Sequence, residues 1–459
     1  MSDQNQIFEA EAQAFFSANP DIERLEVLYL GLCGPLRGKW VPVKSLSKLI
    51  SGELSFPTAT AGLDIWGHDV DEMALAIATG DPDGVALPVA GSLKRVPWAD
   101  TPTAQALVTL TMPDHKTPSP YDPRAVLEAV VNRFSKAGLT PVVATELEFY
   151  LIDRKLGEAG HPQPPIIPHT TERLSSSQVF DMDVLSQFSG VIGDINQSCL
   201  EQNIPADTTI AEFGCGQFEV NLVHVADALK AADLCVEFKR LVKNIARKHG
   251  MDATFMAKPY TESTGNGLHL HISLLNQAGE NIFSGSHKEL SQPLKHAVGG
   301  LMATMKDMHL IFAPHGNSYR RFQLAYYAPS TQCWGFDHRG VAIRLPQTSG
   351  PNARLEHRIA GADANPYLVT AAVLHGILMG LEQKLDPGKP IEKLEEITEC
   401  PPLTQSWKQA IADWSKSEQA KTLGTSEFFR VYLAGRKSEW ETYASTVTDF
   451  DCQTYLRKV

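Results

Sequence analysis

Five segments of this 459-residue chain alternate apolar residues with polar ones, and that alternation limits what they can become. Side chains on a strand point to opposite faces in turn, so residues two apart share a face. In PVVATELEFYL, Glu146 and Glu148 lie on one face while Leu147 and Phe149 face the other. GCGQFEVNL groups Gln217, Glu219 and Asn221 in this way, GNGLHLHISL groups His269 and His271, and ARLEHRIAG groups Arg354, Glu356 and Arg358. RGVAIRLP projects Arg344 from an apolar strand in the same manner. One such strand alone is most often a wet sheet face, and a lone His-x-His is most often structural. A solvated face, however, mixes Lys, Thr, Ser and Glu. These five carry Glu, His and Arg, with no lysine among them.

Several carboxylates on one sheet face must be neutralised, because close like charges raise one another's pKa and resist ionisation. Oxygen-rich sites with an occasional imidazole select Mg²⁺ or Mn²⁺ over zinc or copper. Clustered metals with facing arginines are equipment for phosphoryl transfer, the metals on the phosphate oxygens and the guanidiniums on the developing charge. The chain has no Walker-A sequence and no kinase Gly-rich loop followed by a strand lysine, so the nucleotide must be held by another fold.

A chain this long exceeds one ordinary core, so two domains are expected. The polar stretch PDHKTPSPYDPR (113–124), with four prolines, marks the boundary. Short strand-like runs such as LEVLYL precede it. After it a helix begins at Asp122 and Pro123, is carried by Val126, Leu127, Val130, Val131 and Phe134, and closes at Gly138. Further helices are expected over 225–248, over 367–384 and in the last forty residues, where Phe428, Phe429, Tyr432 and Leu433 share a face. A small β-rich domain followed by a large α/β or α+β domain is the coarse picture.

A net charge of −12 disfavours a nucleic-acid partner and an anionic membrane, and is mildly compatible with a cationic substrate. Seven scattered cysteines without a C-x-x-C pair speak against a disulfide framework or structural zinc and for a cytoplasmic location. The N-terminus has no signal-peptide pattern. The longest apolar run, 367–381, is shorter than the ~20 residues of a membrane span and reads as a buried helix.

The blocks ELEF, EFGCGQFE, FMAKP with GNGLHLH, NSYRRF and RLEHRIAGADANPYL resemble, in order and approximate spacing, those of the class I glutamine synthetase superfamily over essentially the whole chain. RGKWVPVKSL, FPTATAGLDIWG, ATELEFYLIDR and FMAKPY bring it nearest the γ-glutamylpolyamine (glutamate–putrescine) ligases. The resemblance implies an α+β fold: a small N-terminal β-grasp-like domain (1–116) and a large catalytic domain (117–459) with a curved antiparallel sheet flanked by helices. It implies that Glu148, Glu212 and Glu219 hold a first metal, and Glu146, His269 and Glu356 a second on the ATP phosphates. Two or three Mg²⁺ (or Mn²⁺) ions per site, with ATP as co-substrate, are expected. Asn266 and Gly267 would bind the α-amino acid part of L-glutamate, and Arg321 and Arg358 its carboxylates. Arg339 and Arg344 would face the phosphates; His271, Ser273, Arg344 and Arg354 would line the nucleotide side. A homododecamer of two stacked hexamers is implied, each small domain completing its neighbour's site.

The chain departs from the ammonia-using enzymes after NSYRRF. Where they carry a glutamate in a Gly-Tyr-Glu-Ala-Pro context, FQLAYYAPS places Tyr327. A phenol with a pKa near ~10 brings no charge at neutral pH, so an ammonium site is weakened and an aromatic wall suits an organic amine. Asp64, beside Trp66, is the second candidate acid, and Phe180, Tyr327 and Trp66 are candidate determinants of amine size. Cys215 stands where the family often has proline and is expected to be a buried, inert thiol. No tyrosine lies between Tyr367 and Tyr432, so adenylylation there is not expected. Ammonia, isopropylamine, methylamine and aniline are the rival amines. A catalytically dead relative would lose its metal carboxylates first; all are present.

Overall fold

The computed structural model describes residues 3–286, 289–322 and 328–459. It contains two sheets. The first is built from β1 (Arg24–Leu30), β2 (Leu36–Pro42), β3 (Ser55–Pro57), β4 (Asp83–Pro88), β5 (Lys94–Arg95) and β6 (Thr103–Leu110), in the order β2-β1-β6-β4-β3 with β5 on β6. Its central pair, β1 and β6, is parallel. Helix Asp3–Ala18 contributes Phe8 and Ala12 to the core that also holds Leu25 and Val27 of β1.

Asp122 joins the two halves. Its carboxylate caps helix Pro123–Lys136 by accepting from the Arg124 N–H at 2.9 Å and also accepts from the Leu110 N–H, at the end of β6, at 2.8 Å. The helix signals read from the sequence are thus realised, and Gly138 follows with φ +70°.

The second sheet comprises β7 (Thr140–Asp153), β8 (Ala206–Ala211), β9 (Gln217–Leu222), β10 (Met251–Thr254), β11 (Leu268–Leu275), β12 (Trp334–Phe336), β13 (Ile343–Gln347) and β14 (Arg354–His357). Their order is β12-β13-β14-β11-β7-β9-β8, with β10 on β7. All pairs are antiparallel except β12 with β13. One face is apolar: Leu147, Phe149, Phe218, Leu268 and Leu270 are buried, and the Phe149 ring lies 6.3 Å from Phe218 and 5.5 Å from Phe255. Helices Ala228–Lys248 and Pro366–Gln383 contribute to the same core. The first begins three residues later than its pattern suggested, because Val225 pairs with Val143 and Asp227 accepts the capping hydrogen bond from Lys230. Among the described residues no helix is long and apolar enough to cross a membrane.

Buried ion pairs tie the first sheet to helix Ala228–Lys248: Lys94 with Glu237, and Arg240 with Glu26. From helix Ser426–Ser445, Glu439 accepts the Ile65 N–H at 2.9 Å and fixes the loop that carries Asp64.

Candidate active site

Strand register alone gathers the polar residues. Glu146 lies opposite His269 on β11 and Asn221 on β9, Glu148 opposite Glu219, and Glu356 opposite both His271 and Arg344. The expected shared face therefore exists. His271 Nε2 donates to Glu146 Oε1 at 2.7 Å, and His269 Nδ1 donates to Glu146 Oε2 at 3.2 Å. Spending Nδ1–H this way leaves the His269 Nε2 lone pair, a buried atom without a hydrogen-bond partner. An orphaned imidazole nitrogen oriented by a carboxylate is the usual state of a metal ligand.

Ligand atoms of Glu146, His269 and Glu356 lie within 4.8 Å of one another, and so do those of Glu148, Glu219 and His269. Glu212 is outside both compact groups; it sits between β8 and β9 and is close enough to share their electrostatics. Burial, then repulsion from Glu148, pushes its carboxyl up to about 7, with Arg339 opposing. Burial and the charges of Glu146, Glu148 and Glu212 push Glu219 up to about 9. Burial would also raise Glu146, yet the hydrogen bonds from His269 and His271 hold it well below the usual carboxylate range. Excess carboxylate charge beside an unpartnered imidazole is a donor set that fits divalent cations.

The arginines flank this cluster. Glu356, fully buried, accepts from Arg344 Nη1 at 2.8 Å and from Arg358; burial would raise its carboxyl, but the charge of Arg358, then those of His271 and His269, hold it below the usual carboxylate range. Arg344 also donates to Asp337, a residue the sequence reading did not select. Arg354 Nε donates to His271 Nδ1 at 3.3 Å, and Ser273 Oγ to the Ala353 carbonyl at 2.9 Å. Arg339 is exposed in the turn before β13.

Gly267 donates its N–H to Glu148 Oε2 at 2.6 Å. A Cβ there would stand 2.7 Å from His269 Nε2 and 2.9 Å from Arg321 Nη2, so only glycine lets the loop approach this closely. Arg321 is 4% exposed and donates to the Ile359 carbonyl at 2.8 Å. Asn266, expected beside the substrate, precedes Gly267 in this loop. Its side chain is fully buried, donating to the Met256 carbonyl at 2.9 Å and accepting from Gln217 Nε2 at 3.0 Å. In this structure it props the loop. Gln217, also donating to the Gly265 carbonyl, and Lys258, whose N–H donates to Asn317 Oδ1, complete that scaffold.

Tyr327 lies outside the described residues. Among the described residues Asp64 makes no hydrogen bond or ion pair with the cluster of its own chain: Oδ1 accepts from the Trp66 and His68 N–H groups at 2.9 and 2.8 Å. Trp66 and Phe180 are exposed at 51% and 69%. Cys215, expected to be buried, is only half-buried and donates to the Ser176 carbonyl.

The family described as glutamine synthetase, catalytic domain, matches residues 120–455. The gamma-glutamylputrescine synthetase PuuA of Escherichia coli (strain K12) is 40% identical over 98% of this chain and 95% of its own length. The glutamate–isopropylamine ligase of a Pseudomonas sp is 32% identical over 96% of each chain. Among solved structures, a GmaS/ADP complex superposes with a TM-score of 0.84 at 28% identity, covering 99% of this chain and all of that one. The sheet, its carboxylate–imidazole–guanidinium face and these likenesses along the full length agree: the chain belongs to the glutamine synthetase family.

Proposed function

We propose that this glutamine synthetase-like ligase joins the γ-carboxylate of L-glutamate to an organic amine, a polyamine such as putrescine first, with ATP hydrolysed to ADP and phosphate. The observation that carries the reading is the intact face of β7, β9, β11 and β14, supported by the full-length likeness to a γ-glutamylputrescine synthetase. Glu148, Glu212 and Glu219 would hold one divalent ion, and Glu146, His269 and Glu356 another. Such ions would neutralise the carboxylates and offset the charge of the phosphates.

The protein's own groups then have distinct tasks. Arg321 and Arg358 hold the carboxylates of glutamate, beside the Gly267 backbone. Arg339 and Arg344 compensate charge on the transferred phosphoryl group, while His271, Ser273 and Arg354 line the nucleotide side. The γ-carboxylate attacks the γ-phosphorus, ADP leaves, and γ-glutamyl phosphate forms. The neutral amine displaces phosphate from the acyl carbon after giving up a proton. Asp64, carried by residues 1–116 into the site of a neighbouring subunit in a dodecamer of stacked hexamers, is the candidate to hold the ammonium. By its place in the sequence, Tyr327 would put a neutral phenol where ammonia-using relatives have a carboxylate. Such an enzyme would work in the cytoplasm.

A screen with Mg²⁺, ATP and glutamate against ammonia, putrescine, spermidine, isopropylamine and aniline tests the reading. γ-Glutamylputrescine is expected as the dominant amide, and Tyr327→Glu is expected to shift preference toward ammonia. Glutamine as the dominant product would overturn the amine assignment, and ADP release without any amide would overturn the ligase.

A further inference from the structure

Helix Ala228–Lys248 carries Lys239, Lys243 and Arg247 at i, i+4 and i+8, so three like charges share one stripe at a cost in helix stability. In a chain of net charge −12 such a stripe calls for a reason. It borders a cavity of about 670 Å³ between residues 30–36 of the first sheet and this helix; Met256 and Asn317 of the scaffold behind Asn266 line it, but none of the metal ligands, the site arginines, Asn266 or Gly267 does. That volume lies within the ~300–1,000 Å³ of small-molecule sites. Four lysines and arginines line it against one carboxylate, Asp363.

Two of the cations are already neutralised: Arg240 pairs with Glu26 and Arg247 with Asp252. The two lysines are not. Lys239 Nζ donates to the Ala362 carbonyl at 2.7 Å and stands 5.5 Å from the Phe255 ring; Lys243 Nζ stands 5.8 Å from the same ring. Neither forms an ion pair among the described residues, and Asp363 accepts instead from Ser318 at 2.6 Å. Lys243 retains exposed surface, yet the protein mass around it and the charges of Lys239 and Arg247 push its ammonium down to about 8. An anion between the two lysines would relieve that repulsion. Pro35, Leu36, Val236, Phe255 and Met256 give the cavity an apolar wall, and Asn244, Thr254, His315, Asn317 and Asn365 add neutral polar groups.

We propose that this cavity is a binding site for a small organic carboxylate, its charged end between Lys239 and Lys243 and its hydrocarbon body against Phe255 and Met256. Met256 also holds Asn266 through its carbonyl, so an occupant would press on the segment that leads into Gly267.

Titration calorimetry of the full-length protein with hexanoate, without Mg²⁺ or ATP, tests it. Saturable binding of one hexanoate per chain is expected at or below about 20 mM. Lys243→Glu, at the exposed position, is expected to weaken binding at least about tenfold, with folding and ligase turnover unchanged. Lys239→Met is expected to weaken it similarly. Absence of saturation, or equal binding by Lys243→Glu, would overturn the site, the latter by placing hexanoate elsewhere. Inorganic phosphate binding more tightly than hexanoate would overturn the carboxylate assignment.

Discussion

Gly267→Ala places one methyl group where the site has no room. The added Cβ would meet His269 Nε2 at 2.7 Å and Arg321 Nη2 at 2.9 Å. Ordinary contact is about 3.5 Å, so roughly 0.7 Å must be found. Both neighbours are 4% exposed, and Arg321 is held by the Ile359 carbonyl, so the imidazole and the backbone of residue 267 share the displacement. Either route disturbs metal binding: His269 belongs to both ligand groups, and the residue 267 N–H orients Glu148. Overpacking of this kind costs about 1–3 kcal/mol of stability, a few degrees of Tm in a protein this large. Misplacement of catalytic groups by ~1 Å costs about a hundredfold in rate. The expected protein is folded, binds Mg²⁺ at least about tenfold more weakly, and has kcat/KM lowered about a hundredfold. Thermal unfolding, Mg²⁺ calorimetry and steady-state kinetics report these separately. A folded Gly267→Ala protein with unchanged Mg²⁺ affinity and kcat would refute the packing inferred around His269.

Three further outcomes are expected. With Glu219 at about 9 and Glu212 at about 7, the metal-free cluster holds roughly 1.5 protons at pH 7, which Mg²⁺ must displace; affinity therefore rises with pH up to about 9. Calorimetry in buffers of different ionisation enthalpy counts those protons, and zero release would remove these two carboxylates from the ligand set. Lys94→Met leaves Glu237 buried without its ion-pair partner and is expected to cost about 3–5 kcal/mol in urea unfolding, whereas Lys94→Met with Glu237→Leu recovers most of it; equal losses in both would show the pair is not the cause. Asp64→Asn keeps an acceptor for the Trp66 and His68 N–H groups, so stability should change by less than about 1 kcal/mol. The amine KM should rise about tenfold while the glutamate KM holds, as for loss of one charged hydrogen bond; an unchanged amine KM would exclude Asp64 from the amine site.

How much of this was legible in the sequence depended on sequence distance. The i, i+2 spacing of Glu146 and Glu148, and of His269 and His271, shows which residues share a face, because strand geometry is local. The register that sets Glu148 against Glu219 and Arg344 against Glu356 is not local, and only the structure supplies it. Asn266 is expected at the substrate from the resemblance of GNGLHLH alone, and what its side chain touches is not a local property. Its partners, Met256 and Gln217, come from a preceding loop and from another strand. Asp337 gave no signal, since a lone acid in a turn is unremarkable until Arg344 is seen to reach it. The cationic stripe of helix Ala228–Lys248 is visible as spacing, but the cavity it borders joins segments more than two hundred positions apart. Capping was the most legible feature: Asp122 does at the helix start what its position suggested.

The most direct experiment follows oxygen. Glutamate carrying ¹⁸O in its γ-carboxylate, incubated with ATP, Mg²⁺ and putrescine, should transfer one ¹⁸O to inorganic phosphate for each amide formed, because the attacking carboxylate oxygen leaves with the phosphate. Unlabelled phosphate, with ADP still released, would mean that water and not glutamate attacks ATP, and the assignment of this sheet face to glutamate activation would fail.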